Sequence, residues 1–148
     1  MDRPEFVYVT YIASTPEKVW DALVDPKTAT KYWQHVNISD WKPGSNWEHR
    51  QDNEHGDLRL LGKVLESQRP HRLVITWAEP DHANLEEKHS RVTFEIESHR
   101  GIVKLTVTHD RLEQDPAMLE SISRGWPMVV SSLKSLLERG EPLPKLWS

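Results

Sequence analysis

The stretch PAMLESISRGWPMVVSSLKSLLERG, residues 116–140, carries the pattern that decides the fold. Leu119, Ile122, Trp126, Val129, Leu133 and Leu136 recur three or four apart, while Glu120, Ser123, Ser131, Lys134 and Glu138 fall off that line. Such spacing predicts one long amphipathic helix, opened by Asp115-Pro116 and ended by Gly140. Pro127 lies inside it. A proline lacks the backbone N–H and crowds the preceding turn, so it is expected to kink the helix or divide it into two segments. Residues 141–148 (EPLPKLWS) cannot continue the helix and are expected to form a tail that folds back through Leu146 and Trp147.

Upstream of this helix the period changes from 3.6 to 2. Val92, Phe94 and Ile96 form one apolar row and Val103, Leu105 and Val107 a second, with Arg91, Glu95, Glu97 and Lys104 on the opposite parity. Two half-buried strands joined by the tight Arg100-Gly101 turn follow from that alternation. Leu73, Ile75 and Trp77 extend the inner row to the preceding strand, although Val74 breaks the parity. Candidate strands span 37–42, 45–51, 57–67, 71–79, 89–99 and 101–110. Pro43-Gly44, Asp52-Asn53, Gln68-Arg69-Pro70 and Pro80-Asp81-His82 separate them. Connections this short favour an antiparallel meander, because parallel neighbours need crossovers of a dozen residues or more.

The N-terminal third supplies one more strand and two short helices. Glu5 to Ala13 (EFVYVTYIA) is rich in β-branched and aromatic residues. Ser14-Thr15-Pro16-Glu17 then offers a hydroxyl cap, a proline in the first turn and an early acid, and Val19, Trp20, Leu23 and Val24 recur at helical spacing. Asp25-Pro26 closes that helix and opens residues 27–34, with Tyr32 and Trp33 at their end. The 148 residues form one expected domain, 1–140, plus the tail 141–148.

Composition narrows the function. A formal net charge of −4 with dispersed Lys and Arg leaves no electrostatic footprint for nucleic acid or an anionic membrane. No apolar run reaches the ~20 residues of a spanning helix, and MDRPEFVYVT lacks the progression of a signal peptide, so no membrane insertion and a cytoplasmic address are expected. The absence of cysteine removes disulfides, thiolate metal sites and a cysteine nucleophile. Seven tryptophans against two Phe and three Tyr suit an interior that is apolar yet incompletely filled; core filler is the alternative for each of them.

No catalytic motif emerges. Eight histidines are present, but none stands in an H-E-x-x-H or similar pairing, and several fall in expected turns, so no protein-bound metal is predicted. There is no G-x-S-x-G elbow and no glycine-rich phosphate loop, and no cofactor is expected. His109 continues the inward row of Val103, Leu105 and Val107. It reads either as a structural histidine at a strand end or as a neutral pocket imidazole able to hydrogen-bond a ligand or act as a base. Glu66 shares this ambiguity: beside Val64 it stands on a parity that can be inward, where a carboxylate is either paired or functional.

The order strand, two short helices, six strands and a long terminal helix is that of the helix-grip fold, the START-like or SRPBCC superfamily. Within it the chain resembles the bacterial activator of Hsp90 ATPase homologue 1-like family. The resemblance rests on FVYVTYIASTPEKVWDALVDP at 6–26, SDWKPGSNW at 39–47, GKVLESQRPHRLVITW at 62–77, SRVTFEIE at 90–97, VKLTVTH at 103–109 and GWPMVVSSLKSLLERG at 125–140. It implies an α+β fold: a curved antiparallel sheet of six to seven strands whose first and last members are neighbours, gripping the terminal helix on its concave face.

One helix cannot fill so curved a sheet, and the resemblance then implies an apolar pocket for a small hydrophobic or aromatic ligand, lined by Trp33, Trp41, Trp47, Trp77, His109, Ile122, Trp126 and Val130, with Glu66 as a further candidate. The leading expectation is a non-enzymatic carrier or sensor, tied to stress or regulation. Two alternatives stand beside it: a co-chaperone-like partner of an Hsp90-type ATPase, and an enzyme using His109 or Glu66 as acid or base. Relatives with this domain are often encoded beside or fused to ArsR-type regulators. This chain has no DNA-binding helix pair, so such a regulator would be a separate partner; a homodimer also stays open.

Overall fold

In the computed structural model, which describes residues 4–147, the alternating segments form seven antiparallel strands: β1 (Phe6–Ile12), β2 (His35–Ile38), β3 (Asn46–Gln51), β4 (Leu58–Gln68), β5 (Arg72–Trp77), β6 (Ser90–His99) and β7 (Ile102–Asp110). Their order across the sheet is β1-β7-β6-β5-β4-β3-β2, so the first strand pairs with the last and the second lies at the far edge. Arg100 (φ 51°) and Gly101 (φ 86°) both adopt left-handed backbone, the geometry that a two-residue hairpin between twisted strands requires. That turn aligns Val92 with His109, Phe94 with Val107 and Ile96 with Leu105. All six are buried, and their row is the sheet's inner face.

Between β1 and β2 come α1 (Pro16–Val24) and α2 (Pro26–Tyr32). Thr15 caps α1 by accepting from the Lys18 amide at 3.3 Å. The buried Tyr32 hydroxyl ties the pair together by donating to the Ala22 carbonyl at 2.9 Å. The segment 39–42, expected within a strand, is instead a loop in which Trp41 takes φ 59° and donates its indole N–H to the Val24 carbonyl at 3.1 Å. Two single 3₁₀ turns, Pro80–His82 and Glu86–Lys88, occupy the β5–β6 connection.

The terminal helix α3 (Pro116–Arg139) is one element of 24 residues. It runs through Pro127 undivided. The proline costs only the hydrogen bond that the Ser123 carbonyl would have received, and burial of Trp126, Val129 and Val130 beside it holds the turn. Asp115 caps the start by accepting from the Met118 amide at 3.3 Å, and Gly140 in left-handed backbone (φ 79°) ends it. Ile122, Trp126, Val129 and Leu133 bury the stripe against the concave sheet.

The sheet bends where β4 meets β5. Register shifts between Val64 and Glu66, and the ladder is broken between the Val64–Ile75 and Leu61–Ala78 pairs. Side chains fill the gap: the Lys63 amide donates to Thr76 Oγ1 at 2.8 Å, and the Trp47 indole donates to the Thr76 carbonyl at 2.7 Å. Gly62 stands opposite Trp47 in the ladder, and a Cβ there would strike both the Thr76 carbonyl and the Trp47 ring nitrogen. Absence of a side chain at 62 is what lets the indole cross the strand.

Candidate functional site

The bent sheet and α3 leave a solvent-open cleft of about 580 Å³ between them. From the helix come Met118, Ser121, Ile122, Gly125, Trp126 and Val129; from the sheet, His35, His49, Leu58, Arg59, Leu60 and Trp77; from the β5–β6 connection, Glu79, Pro80 and Asp81; from the end of α2, Trp33; from the tail, Trp147. Trp33 stands at the centre of the aromatic floor. Its ring centroid lies 6.2 Å from Trp77 in a near-parallel stack and 5.5 Å from Trp126 at an edge-on angle. Trp77 and Trp126 are themselves 5.3 Å apart. Three large rings held within such distances have little side-chain freedom left to lose, and being buried each meets the cleft only along a small part of its surface.

Of the residues expected in a pocket, Trp33, Trp77, Ile122 and Trp126 line this cleft. The others lie elsewhere. Trp47 is fully buried one layer behind, its ring 5.2 Å from Trp77. Trp41 pins the loop before β3 to the end of α1, and Val130 is buried in the core on the side of α3 turned from the cleft wall formed by Val129.

Glu66 takes the paired of its two expected roles, and its place in the pocket lining is corrected. It is half-exposed and sits in an ion pair with Arg72 at 3.4 Å, which also pairs with Glu95 at 3.2 Å. The register shift next to it changes which face its side chain takes, so strand parity counted from Val64 misplaces it.

His109 is buried behind Trp77 and Trp126 and does not reach the cleft. The Trp126 indole donates to its Nδ1 at 3.0 Å, so Nδ1 is the unprotonated nitrogen. Nε2–H then donates to Ser90 Oγ at 2.7 Å, and the Ser90 hydroxyl donates in turn to the Trp77 carbonyl at 2.9 Å. Burial pushes the imidazole pKa down to about 3, against a weaker opposing pull from Asp110. The ring is neutral, fixed as one tautomer, and engaged at both nitrogens.

Two histidines missed by the sequence reading do belong to the cleft. His49, buried, hydrogen-bonds through Nδ1 to Asn37 Oδ1 at 2.6 Å. Since that oxygen only accepts, Nδ1 carries the proton and Nε2 is left as an acceptor. Burial, with the His35 and Arg59 charges adding to it, lowers the His49 pKa to about 3. The His35 ring lies 4.8 Å from it at a tilt of 59°, and its pKa is also lowered, first by burial and then by Arg59. Parity did signal His49, which is two residues from the inward Trp47 on one strand; its polar neighbours in NWEHRQ masked the signal.

Among the described residues no three His, Asp or Glu side chains gather as a metal site, and no helix is long and apolar enough to cross a membrane. The arrangement can hold an apolar planar guest against indole faces and offer it a neutral imidazole acceptor.

A curved seven-stranded sheet gripping a C-terminal helix beside an aromatic cleft defines a helix-grip domain. The family described as activator of Hsp90 ATPase homolog 1-like protein matches residues 13–138, and the chain belongs to it. Solved structures repeat the fold. CalU16 from Micromonospora echinospora is 21% identical with a TM-score of 0.73, covering 95% of this chain and 77% of that one. PFC0360w, an HSP90 activator from Plasmodium falciparum, is 23% identical with a TM-score of 0.74, covering 90% and 95%. The Aha1 dimer from Colwellia psychrerythraea is 20% identical with a TM-score of 0.73, covering 93% and 98%. No curated protein matches the chain.

Proposed function

We propose that the protein binds a small aromatic ligand carrying a hydroxyl group, as a carrier or sensor rather than an enzyme. The observation that carries this reading is the cleft of about 580 Å³ floored by Trp33, Trp77 and Trp126, with a neutral His49 in its wall. That volume falls within the range of small-molecule pockets, and the lining sets the indoles, Leu58, Leu60, Met118 and Ile122 beside a polar rim of His35, Arg59, Glu79 and Asp81. A phenolic O–H suits the His49 Nε2 acceptor. Catalysis by His109 or Glu66 has little support, because the first is engaged at both nitrogens behind the indoles and the second is ion-paired outside the cleft.

Calorimetric titration tests the reading. The protein is expected to bind 2-naphthol, to bind 2-methoxynaphthalene about fivefold more weakly for want of the donor, and to lose both when Ile122→Trp fills the cleft. Binding that survives Ile122→Trp, or none to either compound, overturns it.

Family membership and the likeness to the Plasmodium HSP90 activator favour a second reading, contact with an Hsp90-type ATPase. Chaperone ATP turnover with and without saturating protein decides it, stimulation supporting the reading and an unchanged rate opposing it.

A further inference from the structure

The segment after α3 lies beyond residues 13–138, the part matched to the family, yet it supplies a wall of the cleft. Gly140 turns the chain back, and Pro142 and Pro144 bring no N–H that needs a strand partner. Side chains at two places hold this segment. On α3, Ser135 Oγ donates to the Glu141 carbonyl at 2.6 Å and Ser132 Oγ accepts from the Leu143 amide at 3.1 Å. At the α2–β2 junction, the Gln34 amide donates to the Leu143 and Pro144 carbonyls at 3.3 and 3.0 Å and accepts from the Leu146 amide at 3.0 Å. Gln34 takes left-handed backbone (φ 65°), uncommon for a residue with a side chain.

This latch delivers Trp147 to the cleft mouth. Its indole donates to the Trp33 carbonyl at 2.8 Å and its ring lies 5.5 Å from His35. The same residue borders a second hollow, formed with Ala117, Glu120, Arg124 and Met128 on the outer side of α3. Gly125 lies between the two hollows, and nothing stands within 4 Å of where its Cβ would be. The indole therefore has a seat over the cleft and open space beside it, on a backbone held without any strand ladder.

We propose that residues 141–147 are a ligand strap in which Trp147 clasps a planar aromatic guest against Trp33 and Trp126, with the Gln34 amide as its latch. This rests on the cleft's being a ligand site. Trp147 contacts the guest; Gln34 acts through the strap. A segment tied by a few side-chain hydrogen bonds opens more readily than the sheet and helix around it, so guest entry and release follow its undocking.

The test is 2-naphthol binding and dissociation with the full chain, together with hydrogen exchange at the Leu146 amide. Trp147→Ala is expected to weaken binding about tenfold, chiefly through faster dissociation, since an aromatic contact and its buried area are lost. Gln34→Ala is expected to speed dissociation similarly without touching the guest. In the unaltered protein, 2-naphthol should slow Leu146 exchange, a readout that stands even if a variant folds poorly. Unchanged dissociation in both variants and unchanged Leu146 exchange overturn the strap, while loss of binding in Ile122→Trp keeps the cleft reading intact. Failure of the unaltered protein to bind 2-naphthol removes both.

Discussion

At the scale of single residues, four polar groups under the cleft floor bond to one another, while the buried Trp77 indole N–H has no partner among the described residues. Trp126, His109, Ser90 and the Trp77 carbonyl form one directed chain of hydrogen bonds beneath the rings that face the cleft. Replacing His109 by Leu would orphan the Trp126 N–H and remove the bond that Ser90 Oγ accepts, leaving Ser90 only its donation to the Trp77 carbonyl. We expect a loss of about 3 kcal/mol in urea denaturation with 2-naphthol affinity little changed. The reverse result, intact stability with lost affinity, would put His109 in the site. The same burial sets the response to acid. His49 and His109 titrate near 6.5 when unfolded and near 3 when folded, so the unfolded chain takes up protons that the folded one refuses. Their contribution is therefore complete above pH ~6.5 and is lost as pH falls toward 3. Between pH 6 and 5 each should lower stability by about 1 kcal/mol. A flat urea midpoint across that window would contradict these burials.

At the scale of elements, the β4–β5 break shapes the cleft, and Gly62 permits it. A methyl group at 62 would push the Trp47 indole off the Thr76 carbonyl and loosen the layer on which Trp77 rests. Gly62→Ala is expected to cost about 2–4 kcal/mol, read from denaturant midpoints, whereas Gly44→Ala, whose Cβ meets nothing, should cost only what its left-handed backbone imposes, about 1 kcal/mol. Equal costs at the two positions would refute the close approach. These elements also mark how far the sequence could be read. The 3.6 period of α3 and the alternation of β6 and β7 were plain because one face of each is wet. Glu66 was misplaced because a bulge reverses parity and leaves no mark in residue type. Pro127 did not divide α3, since one missing hydrogen bond is outweighed by the burial on either side of it.

At the scale of the whole molecule, the fold was legible because strand order and the terminal helix follow from element order and short connections. The cleft was legible only in part. Trp33, Trp77, Ile122 and Trp126 lie on readable stripes, whereas His35, His49 and Trp147 come together only when the β2–β3 hairpin and the tail close over the helix. Trp41 and Trp47 were expected in the pocket for their chemistry and were drawn away by hydrogen bonds to Val24 and Thr76 that only the folded chain offers. The central claim is that an aromatic guest sits on the Trp33–Trp77–Trp126 floor, and the seven indole N–H groups report on it one by one. An NMR titration with 2-naphthol should shift the indole resonances of Trp33, Trp77, Trp126 and Trp147 and leave those of Trp20 and Trp41 in place. Shifts confined to Trp20 and Trp41, or none at saturating ligand, would contradict the account.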